Sequence, residues 1–249
     1  MSRVSPTVLL ALVLGILPVV GHAAPCPVPD NQTLVTGDKE CLVIKTFRSP
    51  GALAAPTLFV VLHGDSSYGG PSDYHYAVAE KLAESGQTNL VAVALVRPGY
   101  ADSSGHISSG STHGRKDNYT ADNVDDVAGA IATLKSVYKA SRVILIGHSG
   151  GAAIAGVILG RHPGLADAAV LVSCPCDVRA WRKSKSSQPW PRSESPSHYV
   201  DRVPKSARIA IVVGAMDTDV PPAISQALCR RTPGPGHCGD LNHCAEGLA

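Results

Sequence analysis

The sequence has no block of like charge: its 22 Lys and Arg and 20 Asp and Glu are dispersed through 249 residues, for a net charge of +2. No basic face is therefore offered to nucleic acid, and a nucleic-acid partner is not expected. Nor is there an apolar run of the ~20 residues that a spanning helix needs. The one candidate, residues 8–20, is shorter and is interrupted by Pro18, so no stable membrane insertion is expected once it is removed. No internal repeat divides the chain. With 44% hydrophobic residues it can bury one sizeable core and hardly two, which points to a single catalytic domain over residues 24–249.

What the amino terminus does have is the pattern of an export signal. Arg3 gives a positive start, residues 8–20 an apolar stretch, and Gly21-His22-Ala23 small residues before a cut, so residues 1–23 are read as a signal peptide and the mature chain as secreted or periplasmic. Lipidation at Cys26 is disfavoured because Ala23-Ala24-Pro25 lacks the Leu-x-Gly/Ala pattern and puts Pro directly before the cut. All seven cysteines lie beyond residue 23, and an oxidising compartment favours disulfides over metal clusters. Cys26 and Cys41 flank an expected hairpin and are one candidate pair. The odd count leaves one thiol over, and sequence does not give the connectivity.

Residues 33–47 read as a hairpin turning at Gly37-Asp38, an antiparallel edge. Beyond it, continuous and mostly β-branched runs at 58–62, 90–96, 143–146, 168–172 and 209–213 fit strands buried on both faces. Helical patterns separate them. One is capped by Ser72 and stopped by Gly86; a second is capped by Asp122, with Val124, Val127, Ile131, Leu134 and Val137 as one stripe; a third begins at Gly150. Alternating strands and helices imply a mostly parallel, doubly wound sheet with helices on both faces, and place ligands beyond the carboxyl ends of the strands. Residues 177–206 break the pattern with a polar stretch containing Trp181 and Trp190, read as a lid-like insertion in preference to a solvated loop.

The chemistry centres on Gly147-His148-Ser149-Gly150-Gly151, which follows a strand-like run and opens a helical one. That is the setting of a nucleophile elbow: the glycines leave room at a sharp turn, and Ser149 stands at a helix N-terminus whose dipole and free N–H groups favour negative charge at an attacked carbonyl. Ser149 is the expected nucleophile.

This elbow and the order of elements over about residues 33–228 resemble the α/β-hydrolase superfamily, within it the compact esterases and the dienelactone-hydrolase and prolyl-oligopeptidase-like catalytic domains. The resemblance implies the α/β-hydrolase fold. It also implies that His63-Gly64-Asp65 forms half of an oxyanion hole, with His63 and Gly64 shaping the loop, the Asp65 N–H as one donor and the Gly150 N–H as the other. Gly214-Ala215-Met216-Asp217, ahead of Val220-Pro221, resembles the family's acid loop, so Asp217 matches the carboxylate that orients the base, with Asp219 as its rival. The base would follow a helix at 222–229 and one more strand. No apolar strand follows, and the atypical tail 230–249 offers His237 in a Gly-His context and His243 as the alternative. The tail is either an unusual ending or a replacement of the family's last strand, in which case neither histidine is the base.

The remaining histidines read as structural, with His75, His106, His113, His162 and His198 expected at the surface. His148 is expected to pack beside the turn, and His63 to hydrogen-bond within its loop. Arg97 is expected either to brace the loop after the 90–96 strand or to form an ordinary ion pair. His237, Cys238, His243 and Cys244 match no standard zinc spacing, and no cofactor or metal is implied. The sequence thus predicts a serine hydrolase acting on a small-molecule ester through an acyl-enzyme. A peptidase shares all of this machinery, and a non-catalytic binding protein of the same fold is the alternative if the tail supplies no base.

Overall fold

A computed structural model describes residues 29–51, 54–66 and 68–232; the proposed signal peptide, Cys26 and the tail from 233 onward lie outside them. The hairpin is present as β1 (Leu34–Thr36) and β2 (Cys41–Arg48). It is followed by β3 (Thr57–Leu62), α1 (Tyr74–Ala83), β4 (Leu90–Leu95), α2 (Ala121–Val137), β5 (Arg142–His148) and α3 (Gly150–Arg161). Then come β6 (Ala168–Val172), α4 (Val178–Ser184), α5 (Pro196–Tyr199), β7 (Arg208–Val212) and α6 (Pro222–Cys229).

These strands form one sheet in the order β1-β2-β4-β3-β5-β6-β7. β1 and β2 run antiparallel to their neighbours and the rest are parallel, as in an α/β-hydrolase fold. β3 is flanked by β4 on one side and β5 on the other, so the chain changes winding direction there, and the loops after β3 and β5 open beside each other as a crevice. The register pairs Leu62 with Gly147 at that end.

Central-strand residues such as Leu58, Val60, Leu62, Val93 and Leu145 are buried against Val124, Val127, Ile131 and Leu134 of α2 and Ile154 and Ile158 of α3. Each such side chain contributes on the order of 1.5–3 kcal/mol by leaving water. The stripe expected on α2 is there, except that Val137 at its end is exposed. Its cap differs from expectation: Thr120 accepts the Asn123 N–H, while Asp122 sits in the first turn and pairs with Lys39. The helix begins two residues earlier because Thr120 holds the extended backbone that a cap requires. α1 likewise starts at Tyr74 with Asp73 as its boundary residue, and Ser72 is buried outside the helix.

Residues 177–206 are more ordered than a polar loop. They hold α4, α5 and a 3₁₀ turn at Val200–Arg202. Trp181 is buried in the main core and stacks edge-on with Trp190, whose ring also meets Tyr119. The two indoles therefore anchor this segment to the body of the domain. Cys174 and Cys176, just after β6, are joined by a disulfide. Cys41 and Cys229 are each disulfide-bonded as well, not to one another. No helix among the described residues is long and apolar enough to cross a membrane.

Candidate active site

Ser149 stands between β5 and α3 with φ +50° and ψ −118°, a left-handed conformation that a non-glycine residue adopts only when its surroundings impose it. They do so by clamping both of its peptide groups. Its N–H donates to the Val172 carbonyl at 2.8 Å, and its carbonyl accepts the N–H groups of Ala152 and Ala153 at 2.9 and 3.1 Å. The turn is tight enough that a Cβ on Gly151 would lie 2.5 Å from the carbonyl oxygens of Leu62 and His63, so α3 can approach the end of β3 only with glycine there. The Gly150 N–H, at the first position of α3, has no hydrogen-bond partner among the described residues.

Across the crevice, residues 63–65 follow β3. The His63 ring is fully buried and fixes the loop at both nitrogens: Nε2 accepts the Arg97 N–H at 2.9 Å, so Nδ1 carries the proton and donates to the Gly64 carbonyl at 2.7 Å. Burial, and after it the Arg97 charge, pushes its pKa well below the usual imidazole range, so the ring is a neutral brace. The Asp65 N–H, like that of Gly150, has no partner among the described residues.

The Asp65 side chain enters a buried polar cluster. Its carboxylate meets the Arg97 guanidinium at 2.5 Å, the Tyr119 hydroxyl at 2.5 Å and the Tyr100 hydroxyl at 3.3 Å. Arg97 is 1% exposed, donates also to the Gly64 carbonyl at 3.1 Å, and lies over the Tyr100 and Tyr119 rings. Arg97 therefore braces the loop after β3, at Gly64 and Asp65, where a brace on the loop after its own strand or an ordinary ion pair was expected, and its ion pair is a buried one. Burial alone would lower its pKa, but Asp65 and the two tyrosines raise it, so it stays charged. Burial and then Asp65 push the Tyr119 hydroxyl well up, so it remains a donor. The cluster fills the space in front of Gly150: a Cβ there would lie 2.6 Å from Asp65 Oδ1 and 2.8 Å from an Arg97 terminal nitrogen.

The third wall is the turn after β7. Asp217 Oδ1 accepts the N–H groups of Asp219 and Val220, each at 2.9 Å. Burial pushes this carboxyl up, but the Val220 N–H, the Ser173 hydroxyl, the Asp219 N–H and His148 together hold it below its ordinary value. Asp219, the rival, is exposed and pairs with Lys185, while its carbonyl accepts the Trp181 indole N–H at 2.8 Å. It ties α4 to this turn, whereas Asp217 is electrostatically coupled to the residue preceding Ser149. His237 and His243, the candidate bases, lie outside the described residues, as do Cys238 and Cys244. Among the described residues no group of His, Cys, Asp or Glu is arranged to hold a metal.

Three features were not anticipated from sequence. His75, expected at the surface, is buried with Nε2 on the Leu95 carbonyl at 3.0 Å and its pKa pushed by burial down to about 4, because α1 packs on β4 at that point. Tyr119 carries no local signal, since its partners Asp65 and Trp190 are 54 and 71 positions away in the chain. Tyr74, which had no expected role, bonds His148; that imidazole does lie beside the turn as expected, but exposed.

Comparison with known proteins bears on this arrangement. The family model described as serine aminopeptidase, S33, matches residues 77–202. Among solved structures, Est1E from Butyrivibrio proteoclasticus with bound ferulic acid superposes with a TM-score of 0.63 at 15% identity, covering 83% of this chain and 86% of that one. An α-β serine hydrolase homologue from Coxiella burnetii gives 0.60 at 18%, covering 85% and 86%. The acylaminoacyl peptidase of Pyrococcus horikoshii gives 0.59 at 15%, covering 78% of this chain and 33% of that one. No curated protein sequence matches.

Proposed function

The chain belongs to the serine aminopeptidase, S33, family of α/β hydrolases and is a serine hydrolase; from that premise we propose that it is exported and cleaves a carboxylic ester through an acyl-enzyme on Ser149. The observation that carries the reading is the backbone at Ser149, left-handed between β5 and α3, with the N–H groups of Gly150 next to it and of Asp65 in the facing loop both without a partner among the described residues. Such conformations persist where function requires them.

In this reading Ser149 Oγ attacks the ester carbonyl while a histidine takes its proton, and the Asp65 and Gly150 N–H groups receive the developing oxyanion. The histidine returns the proton to the leaving alcohol, and water then releases the acid by the same steps. Asp217, held ionised, orients and stabilises the imidazolium. His237 is the proposed base and His243 its alternative.

A second reading, cleavage of a peptide or acyl-peptide bond, uses the same groups. The family description and the acylaminoacyl peptidase among the similar structures support it. Ester is preferred on the likeness to Est1E and to an esterase of Pyrococcus furiosus, at 18% identity and a TM-score of 0.58.

One experiment tests the proposal. The protein recovered from the exported fraction should begin near Ala24, react with a fluorophosphonate probe, and hydrolyse p-nitrophenyl acetate. Ser149→Ala should abolish both reactions, and the base among His237→Ala and His243→Ala should lose ~10³-fold or more in kcat while the other changes little. Folded protein that ignores the probe would support the non-catalytic binding alternative, and Ser149→Ala near parent activity would remove Ser149 from the mechanism.

A further inference from the structure

Tyr74, the first residue of α1, has a hydroxyl that no step of the proposed reaction uses. About half of the residue is open to solvent (51%), yet the hydroxyl is engaged on two sides: it accepts the Gly64 N–H at 2.6 Å and lies 2.7 Å from Nδ1 of His148. The two rings meet edge to face, 5.7 Å between centroids. An N–H can only donate, so the phenolic oxygen accepts there and keeps its own proton to offer; in the tautomer whose imidazole proton sits on Nε2, that proton goes to His148 Nδ1. Burial raises the Tyr74 hydroxyl, which keeps its proton. Although His148 is exposed at the surface, the partial desolvation of its ring outweighs the pull of Asp217 and lowers it, which favours the neutral ring able to accept.

The chain crosses the seam of the crevice. Gly64 belongs to the loop after β3 and His148 to the last position of β5, so the tyrosine ties the oxyanion loop to the elbow. The point where a Cβ on Gly64 would stand is 3.0 Å from His148 Nδ1, 3.1 Å from Ser149 Cβ and 3.2 Å from the Tyr74 oxygen. Hydroxyl, imidazole and nucleophile therefore surround one small gap. The two N–H groups assigned to the oxyanion are carried by residues adjoining this chain, Asp65 after Gly64 and Gly150 two places after His148.

We propose that Tyr74 is a positioning residue whose Gly64–Tyr74–His148 hydrogen-bond chain sets the separation of the two oxyanion donors. The inference rests on the serine-hydrolase reading with Ser149 as nucleophile. A hydrogen bond made before substrate arrives gives little to ground-state binding, while a displaced donor is felt where the oxyanion forms.

The test uses the full-length mature protein with p-nitrophenyl acetate and, independently, the rate of fluorophosphonate inactivation. Tyr74→Phe removes one oxygen from a half-exposed ring. It should lower kcat and the inactivation rate about tenfold with KM and Tm near the parent's. His148→Ala should match it, and His148→Asn, whose amide oxygen stands near the former Nδ1, should recover most of the loss. The double variant Tyr74→Phe/His148→Ala should be no slower than either single one, because both break the same chain. Parent-like kcat in Tyr74→Phe, a loss confined to KM or accompanied by an equal fall in Tm, or additive losses in the double variant would overturn the inference alone. A parent protein that neither turns over the ester nor takes the probe would overturn the underlying reading as well.

Discussion

The loop after β3 and the turn after β7 each bring an aspartate to the crevice, and the two live in different surroundings. Asp65 is nearly buried, neutralised by a guanidinium that is itself 1% exposed, and capped by two tyrosine hydroxyls from a distant loop. Asp217 is partly open and is held by backbone N–H groups two and three residues further on and by the Ser173 hydroxyl. The first carboxylate is locked into the body of the domain by long-range partners. The second is positioned by its own turn and left able to face another group. One wall of the site is thus built for rigidity, and the other to present a charge.

If that contrast is right, substitutions on the two walls should separate chemistry from stability. The largest effect expected is in Asp217→Asn, which keeps the shape of the turn but cannot stabilise an imidazolium: kcat should fall about 10⁴-fold, with Tm almost unchanged, in parallel ester-hydrolysis and thermal-melt assays. A large loss of Tm would mean that this turn, too, is structural.

Next in size, Arg97→Met leaves the Asp65 carboxylate buried without its counter-charge. It should cost about 3–5 kcal/mol of folding stability in a denaturant titration. Stability within 1 kcal/mol of the parent would show that Asp65 does not need its partner. The smallest effect belongs to the exposed Lys185–Asp219 pair on the outer side of the acid turn. Asp219→Ala should change stability by about 0–1 kcal/mol and kcat by less than about twofold. A drop comparable to that of Asp217→Asn would make Asp219 the acid and reverse the assignment.

The difference between the walls also marks how much could be read in advance. The five sheet strands after the hairpin were legible because continuous apolar runs bounded by turns have few other uses, and 168–172 coincides with β6 to the residue. The elbow was legible because strand, glycine-flanked serine and helix are contiguous in the chain. The turn holding Asp217 is equally local. By contrast, the cluster around Asp65 is assembled from residues 65, 97, 100 and 119, and only the presence of two opposite charges after neighbouring strands hinted at it. The caps at Asp73 and Thr120 were missed by one and two positions, since several cap-competent residues precede each helix and backbone angles decide among them. The Cys174–Cys176 link had no sequence signal apart from proximity.

The filled space in front of Gly150 constrains how this protein can vary over evolutionary time. Because Asp65, Arg97 and Tyr119 occupy the volume a methyl group at 150 would need, the four positions cannot drift independently. A lineage that acquires alanine or methionine after the nucleophile would first have to discard the acid at 65 or the base at 97. A lineage that keeps both is confined to glycine, so these sites should change together as one inherited unit.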